Sequence, residues 1–132
     1  MDTGDKDNQQ EIDIFEMGVH SAKCANNDYM TAHVWNDHGD NHSWSTGDLY
    51  HLPWNVADAF HTYGFEWTRD TLKWFVDGSL VCQLNNTNWH QPMYLIFDAE
   101  PMLQWFGPID DQDLPADFLI KDLRVWRQPP GE

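Results

Sequence analysis

Positive charge is the scarcest property of this 132-residue chain: 7 Lys and Arg stand against 22 Asp and Glu, a formal net charge of −15. No basic cluster occurs, so the field repels a phosphate backbone and an anionic bilayer alike, and neither nucleic acid nor membrane is an expected partner. Cysteine is nearly as sparse. Cys24 and Cys82 permit at most one internal disulfide, their spacing fits no zinc pattern, and two buried free thiols are an equal expectation. The chain has no apolar run long enough for a membrane span, no signal-peptide pattern, no glycine-rich phosphate loop and no serine nucleophile elbow. Internal repeats are absent, and no stretch keeps a helical period.

Indole, by contrast, is abundant: eight residues are Trp and 14% of the chain is aromatic. A buried indole N–H needs a partner, so a small domain this rich in Trp is expected to leave several lining a cleft. Apolar and polar residues alternate, with β-branched and aromatic types enriched and Asn, Asp, Gly and Pro between the runs. That pattern predicts strands at residues 11–17, 29–35, 61–68, 72–76, 80–84, 93–98 and 118–127. Asp77-Gly78 supplies the positive-φ pair of a two-residue hairpin turn between Val76 and Ser79. Residues 36–55 and 100–117 read as long loops, and loops of that length in a compact domain are commonly functional. The expectation is an all-β chain forming one domain, a two-sheet β-sandwich that is either small or incomplete. The polar stretch 1–10 reads as the middle of a longer protein.

The most informative segment is Glu11-Ile12-Asp13-Ile14-Phe15-Glu16-Met17. In a regular strand Glu16 would face with Ile12 and Ile14, and Phe15 with Glu11 and Asp13, which drives a carboxylate into the apolar face and a phenyl ring out of it. One extra residue absorbed by a β-bulge at Ile14-Phe15 restores the parity and puts Glu11, Asp13 and Glu16 on one surface, with Ile12 and Met17 on the other. Three neighbouring carboxyls repel one another when ionised, so at least one should carry a raised pKa, which a general acid requires. The spacing alone fits an exposed polar strand face or a cation site equally well.

Glu-Ile-Asp-Ile-Phe-Glu resembles the Glu-x-Asp-x-x-Glu signature of glycoside hydrolase family 16. The resemblance extends to Phe60 through Thr68 followed by Leu72 through Gly78, which look like that family's paired core strands, and to Ile120 through Trp126, which look like its closing strand. Tyr94 through Glu100, with Trp105 downstream, resembles the galactan-degrading branch of agarases, porphyranases and carrageenases. The resemblance implies a jelly-roll (concanavalin-like) β-sandwich with an open cleft. It also implies a retaining endo-acting hydrolase in which Glu11 is the nucleophile, Glu16 the acid/base and Asp13 the residue that tunes the pair. Agar or porphyran is the implied substrate. A laminarinase-like β-glucanase, a non-catalytic carbohydrate-binding sandwich and an inactive fragment are the alternatives. His33, Glu100 and Trp105 are the implied substrate-binding residues. The implied enzyme is extracellular or periplasmic, a monomer as a full domain, and requires no cofactor.

Other residues carry plainer expectations. Trp67 and Trp74, on strands, should be core, whereas Trp44 lies in a predicted loop where an indole is free to stack on a sugar ring. Asp122 has the chemistry of the structural calcium site many family members hold, although pairing with Lys121 or Arg124 is the simpler outcome. Asp37, His38, Asp40 and His42 include metal-ligand types, but a loop without ordered supporting partners rarely makes a metal site, so none is expected. Members of the family carry a long stretch before the signature, and only ten residues precede Glu11 here. Residues 1–132 are therefore expected to be the C-terminal part of a catalytic domain.

Overall fold

The computed structural model describes residues 1, 9–19, 21, 24, 26–36, 39 and 42–129. Two three-stranded antiparallel sheets face each other. The first holds β1 (Gln10–Ile12), β2 (Asn27–Val34) and β3 (Trp44–His51) in that order, and the second holds β4 (Tyr63–Trp67), β5 (Thr71–Val76) and β6 (Ser79–Asn85). The chain is all-β, as its alternation predicts. Helix is scarce among the described residues, chiefly the single turn α1 (Leu103–Phe106) and a 3-10 turn at Asp111–Asp113.

Burial along β2 alternates without a break: Asp28, Met30, Ala32 and Val34 point inward, and Asn27, Tyr29, Thr31 and His33 point outward. β5 does the same with Leu72, Trp74 and Val76 inside. Ile12, Cys82 and Trp89 complete the cluster between the sheets, where burying one large apolar side chain contributes about 1.5–3 kcal/mol. Both fully buried indoles find acceptors across the sandwich. Trp74 Nε1 donates to the carbonyl of Asp13 at 2.8 Å and Trp89 Nε1 to that of His33 at 3.0 Å. The core therefore grips from beneath the same two backbone segments whose side chains face outward as Asp13 and His33. Cys24 and Cys82 are buried free thiols. The hairpin turn forms with φ of 48° at Asp77 and 78° at Gly78, joining Val76 to Ser79.

Three expectations are corrected. Residues 36–55 are not one loop, because they contain β3, paired along its whole length with β2. That strand is an edge wetted over most of its surface, so no apolar alternation marks it in sequence. At its middle, a Cβ on Gly47 would lie 2.2 Å from the Met30 carbonyl, so only glycine permits this approach. Trp44 consequently belongs to β3 and packs edge-on against Trp89 with centroids 5.4 Å apart, instead of standing free. Residues 93–98 and 118–127 form no strand beyond an isolated bridge at Tyr94. They have strand composition but, among the described residues, pair with no sheet edge beyond that bridge, and Tyr94 and Val125 are 70% and 80% exposed.

Candidate active site

The ladder between β1 and β2 carries the site. Glu11 stands opposite His33 and Ile12 opposite Ala32, and the Asp13 N–H donates to the Thr31 carbonyl at 2.7 Å. The next bond in this ladder runs from the Tyr29 N–H to the Glu16 carbonyl at 3.0 Å. From Asp13 to Glu16 is one residue more than from Thr31 to Tyr29, so one residue is absorbed at Ile14-Phe15 as a bulge. Residues 11–17 are therefore a regular strand only through Ile12, with a bulged continuation. Within the bulge Phe15 turns inward against Tyr63, ring centroids 4.9 Å apart, and beyond it Met17 Sδ accepts from Tyr63 Oη at 3.8 Å.

Glu11, Asp13 and Glu16 thereby share the outward face with His33. His33 Nε2 lies 3.1 Å from Asp13 Oδ2, and ligand atoms of Asp13, Glu16 and His33 all fall within 4.8 Å of one another. A triad this tight has the reach for a cation, but its imidazole nitrogen is already engaged by Asp13, and the perturbed carboxyls below read as proton-handling groups. Trp35 Nε1 donates to Glu11 Oε2 at 2.5 Å, and the same indole stacks on His33 at 4.5 Å with the rings 8° from parallel.

Burial, then the charge of Asp13, pushes the Glu16 carboxyl up to about 7, with Glu11 and Asp28 adding to the rise and His33 opposing it. Glu11 is also raised, by burial first, while the indole N–H of Trp35 holds it back and Asp13 adds to the rise. Burial pulls His33 down, but its hydrogen bond to Asp13 and the charges of Asp13, Glu11 and Glu16 more than offset this, and its pKa is raised. The face thus pairs a carboxylic acid protonated near neutrality with a carboxylate anchored by an indole, two groups whose environments suit opposite roles.

Trp105 is half-buried on α1 and meets Tyr29 edge-on at 4.8 Å. Tyr29 belongs to the same outward row of β2 as His33, so α1 borders the carboxylate face. The helical turn is seated by Ser21 Oγ, which donates to the Phe106 carbonyl at 2.8 Å, and by Gly18, where a Cβ would come within 2.3 Å of the Phe106 ring. Glu100 is exposed in the extended stretch before α1, and no hydrogen bond or ion pair ties it to the cluster among the described residues. Asp122 is exposed too, while its neighbour Lys121 lies over the Phe60 ring at 5.9 Å. Asp37, His38 and Asp40 lie outside the described residues. Sequence reasoning missed the Trp35 bond to Glu11, and it missed Asp28, whose place on the inward row of β2 could have been read from its alternation with Met30, Ala32 and Val34.

The family Glycosyl hydrolases family 16 matches residues 1–107. Over 87 residues the chain is 41% identical to the kappa-carrageenase of Pseudoalteromonas carrageenovora, an alignment covering 58% of this chain and 22% of that protein. Over 93 residues it is 32% identical to a beta-glucanase of Fibrobacter succinogenes, covering 66% of this chain and 27% of that protein. The chain thus spans only about a quarter of the length of these curated relatives. A crystal structure of a kappa-carrageenase from Zobellia galactanivorans matches with a TM-score of 0.52 at 20% identity, covering 70% of this chain and 39% of that one. At that identity the likeness speaks for the fold alone, and it identifies the two sheets as part of a jelly-roll sandwich. With the match spanning most of the chain and the Glu-x-Asp-x-x-Glu hexapeptide at residues 11–16 falling within it, the chain belongs to glycosyl hydrolases family 16.

Proposed function

We propose that the outward face of β1 and β2 hydrolyses β-linkages within a polysaccharide, with retention of configuration and outside the cell. The observation that carries this reading is the bulge, which puts a carboxyl raised to about 7 on the same face as a second carboxyl held by Trp35. Glu11 attacks the anomeric carbon while Glu16 gives its proton to the departing glycosidic oxygen. Glu16, now a carboxylate, takes a proton from water, and that water displaces Glu11. Retention needs the two carboxyls about 5–5.5 Å apart. Asp13, engaged by His33, acts through its charge on Glu16 and favours the protonated form of that acid. All protons and electron pairs in this sequence are supplied by the carboxyls, water and sugar, so the reaction requires no cofactor. Trp105 supplies an aromatic wall at one end of the face.

The substrate we infer is an algal galactan, with agar, porphyran and carrageenan as candidates. The 41% identity to a kappa-carrageenase supports the galactan class. The 32% identity to a beta-glucanase supports β-glucan as the second reading. Reducing-end release from carrageenan, agar, porphyran, lichenan and laminarin separates the two. Glu11→Gln should lower hydrolysis by at least about 10³-fold while leaving polysaccharide binding nearly unchanged. Undiminished turnover by that variant would remove Glu11 from the mechanism, and a first-formed α anomer by NMR would exclude retention.

A further inference from the structure

Among the described residues Asp28 is the one acidic side chain that is fully buried, at 0% exposure. It lies at the start of β2 on the inward row with Met30, Ala32 and Val34, where an aliphatic residue would pack as well. Its Oδ1 accepts from the backbone N–H of Glu16 at 3.3 Å, while its buried Oδ2 takes no hydrogen bond from any described residue. No lysine, arginine or histidine pairs with it among the described residues. The titratable groups around it are Glu16 past the bulge, Tyr63 on β4, whose own pKa its charge helps to raise, and Tyr50, its register partner on β3. Burial pushes the carboxyl up to about 7, so below that pH the group is a neutral acid, which a site without a counter-charge requires.

The bulge explains why a polar side chain is held there. An extra residue interrupts the β1–β2 ladder, and where the ladder resumes, the Glu16 carbonyl accepts from Tyr29 while the Glu16 N–H donates to the Asp28 side chain. A backbone N–H that a bulge takes out of the ladder needs another acceptor, and this part-buried one finds it in a side chain. We propose that Asp28 is a positioning residue for Glu16: it clamps the backbone at the exit of the bulge and fixes the direction in which Glu16 presents its carboxyl. The inference rests on the reading of Glu16 as acid/base, and it adds a residue from the opposite side of the sheet.

Two substitutions with the same number of side-chain heavy atoms test it. Asp28→Asn keeps an acceptor for the Glu16 N–H, and Asp28→Leu removes it. The Leu variant should lose at least about tenfold in kcat with KM within about threefold of the parent, and the Asn variant should recover most of that loss. Carboxyl-carbon NMR should show the Glu16 titration, together with the basic limb of the pH profile, displaced further in the Leu variant than in the Asn variant, which loses only the Asp28 charge, the least of the contributions to the rise. A folded Leu variant with parental kcat and parental Glu16 titration overturns the proposal, as does an Asn variant as impaired as Leu. Amide hydrogen exchange on the unsubstituted chain gives a decision that needs no variant to fold: the Glu16 N–H should exchange slowly, and exchange as fast as an open loop overturns the clamp. If the unsubstituted chain hydrolyses none of the polysaccharides, the proposed function fails. The NMR and exchange measurements still decide whether Asp28 positions Glu16.

Discussion

Glu11 and Glu16 differ in what touches them, and their titration differs accordingly. The indole N–H on Glu11 favours its charged form, whereas Glu16 has burial and three neighbouring carboxyls pushing it toward the neutral one. The nucleophile must be ionised and the acid protonated, so the kcat/KM profile should be a bell. Its basic limb should lie near 7 and its acidic limb above the ordinary value of 4.5, both being apparent values of a coupled set. Trp35→Phe removes the donor that restrains Glu11 and should move the acidic limb upward while leaving the basic limb in place. A profile that does not change would show that this indole does not set the nucleophile's charge. Asp28 bears on stability in the same terms. Its pKa is raised on folding, so the folded chain holds a proton that the unfolded chain releases between 3.8 and about 7. Stability is therefore greatest below 3.8 on this account and declines as pH rises through about 7, by at most about 4 kcal/mol. Thermal melts of the unsubstituted chain and Asp28→Asn at pH 5 and pH 8 should show a fall on the alkaline side that the Asn variant largely removes. Equal falls in both would mean that Asp28 is already ionised at pH 5.

At the scale of elements, the turn α1 is held to the carboxylate face by few contacts, and Gly18 is the most sensitive. Gly18→Ala sets a methyl against the Phe106 ring, which must move, and Trp105, stacked on Phe106 at 4.4 Å, moves with it away from Tyr29. The expected result is a KM raised about three- to tenfold with kcat nearly kept, since the carboxyls lie on β1 and its bulge and not on α1. A fall in kcat alone would mean that Gly18 governs the bulge instead. How legible each element was follows from what it packs against. The bulge could be read because the chain places Glu16 where an unbroken strand would bury it, and parity is a strong constraint when one face is apolar. β2 and β5 announced themselves through alternation for the same reason. β3 did not, since an edge strand exposed over most of its surface has no apolar period to display. Residues 93–98 and 118–127 misled in the opposite direction, because their β-branched and aromatic residues describe a preference that only a paired edge can satisfy. Asp28 was obscured by the Asn-Asn-Asp run, which reads as a turn until the alternation behind it is extended one step further back.

At the scale of the whole molecule, apolar exposure and charge oppose each other. Tyr94, Ile96, Phe118, Leu119, Ile120, Leu123, Val125 and Trp126 are all exposed in stretches that pair with no sheet. Each large side chain left in water forgoes about 1.5–3 kcal/mol, against a domain stability of about 5–15 kcal/mol in total. The outer edge of β3 is also unpaired among the described residues, and an open edge beside apolar surface invites association. What resists association is the net charge of −15, whose repulsion reaches about 30 Å at 0.01 M salt and about 3 Å at 1 M. Sedimentation of this 132-residue chain should therefore give a monomer in dilute buffer and larger species as sodium chloride rises, with hydrophobic dye binding at both salt concentrations. If the chain stays monomeric in 1 M salt, binds no dye and melts in one cooperative step, the exposed stretches are covered in solution and the molecule is more compact than this arrangement of strands.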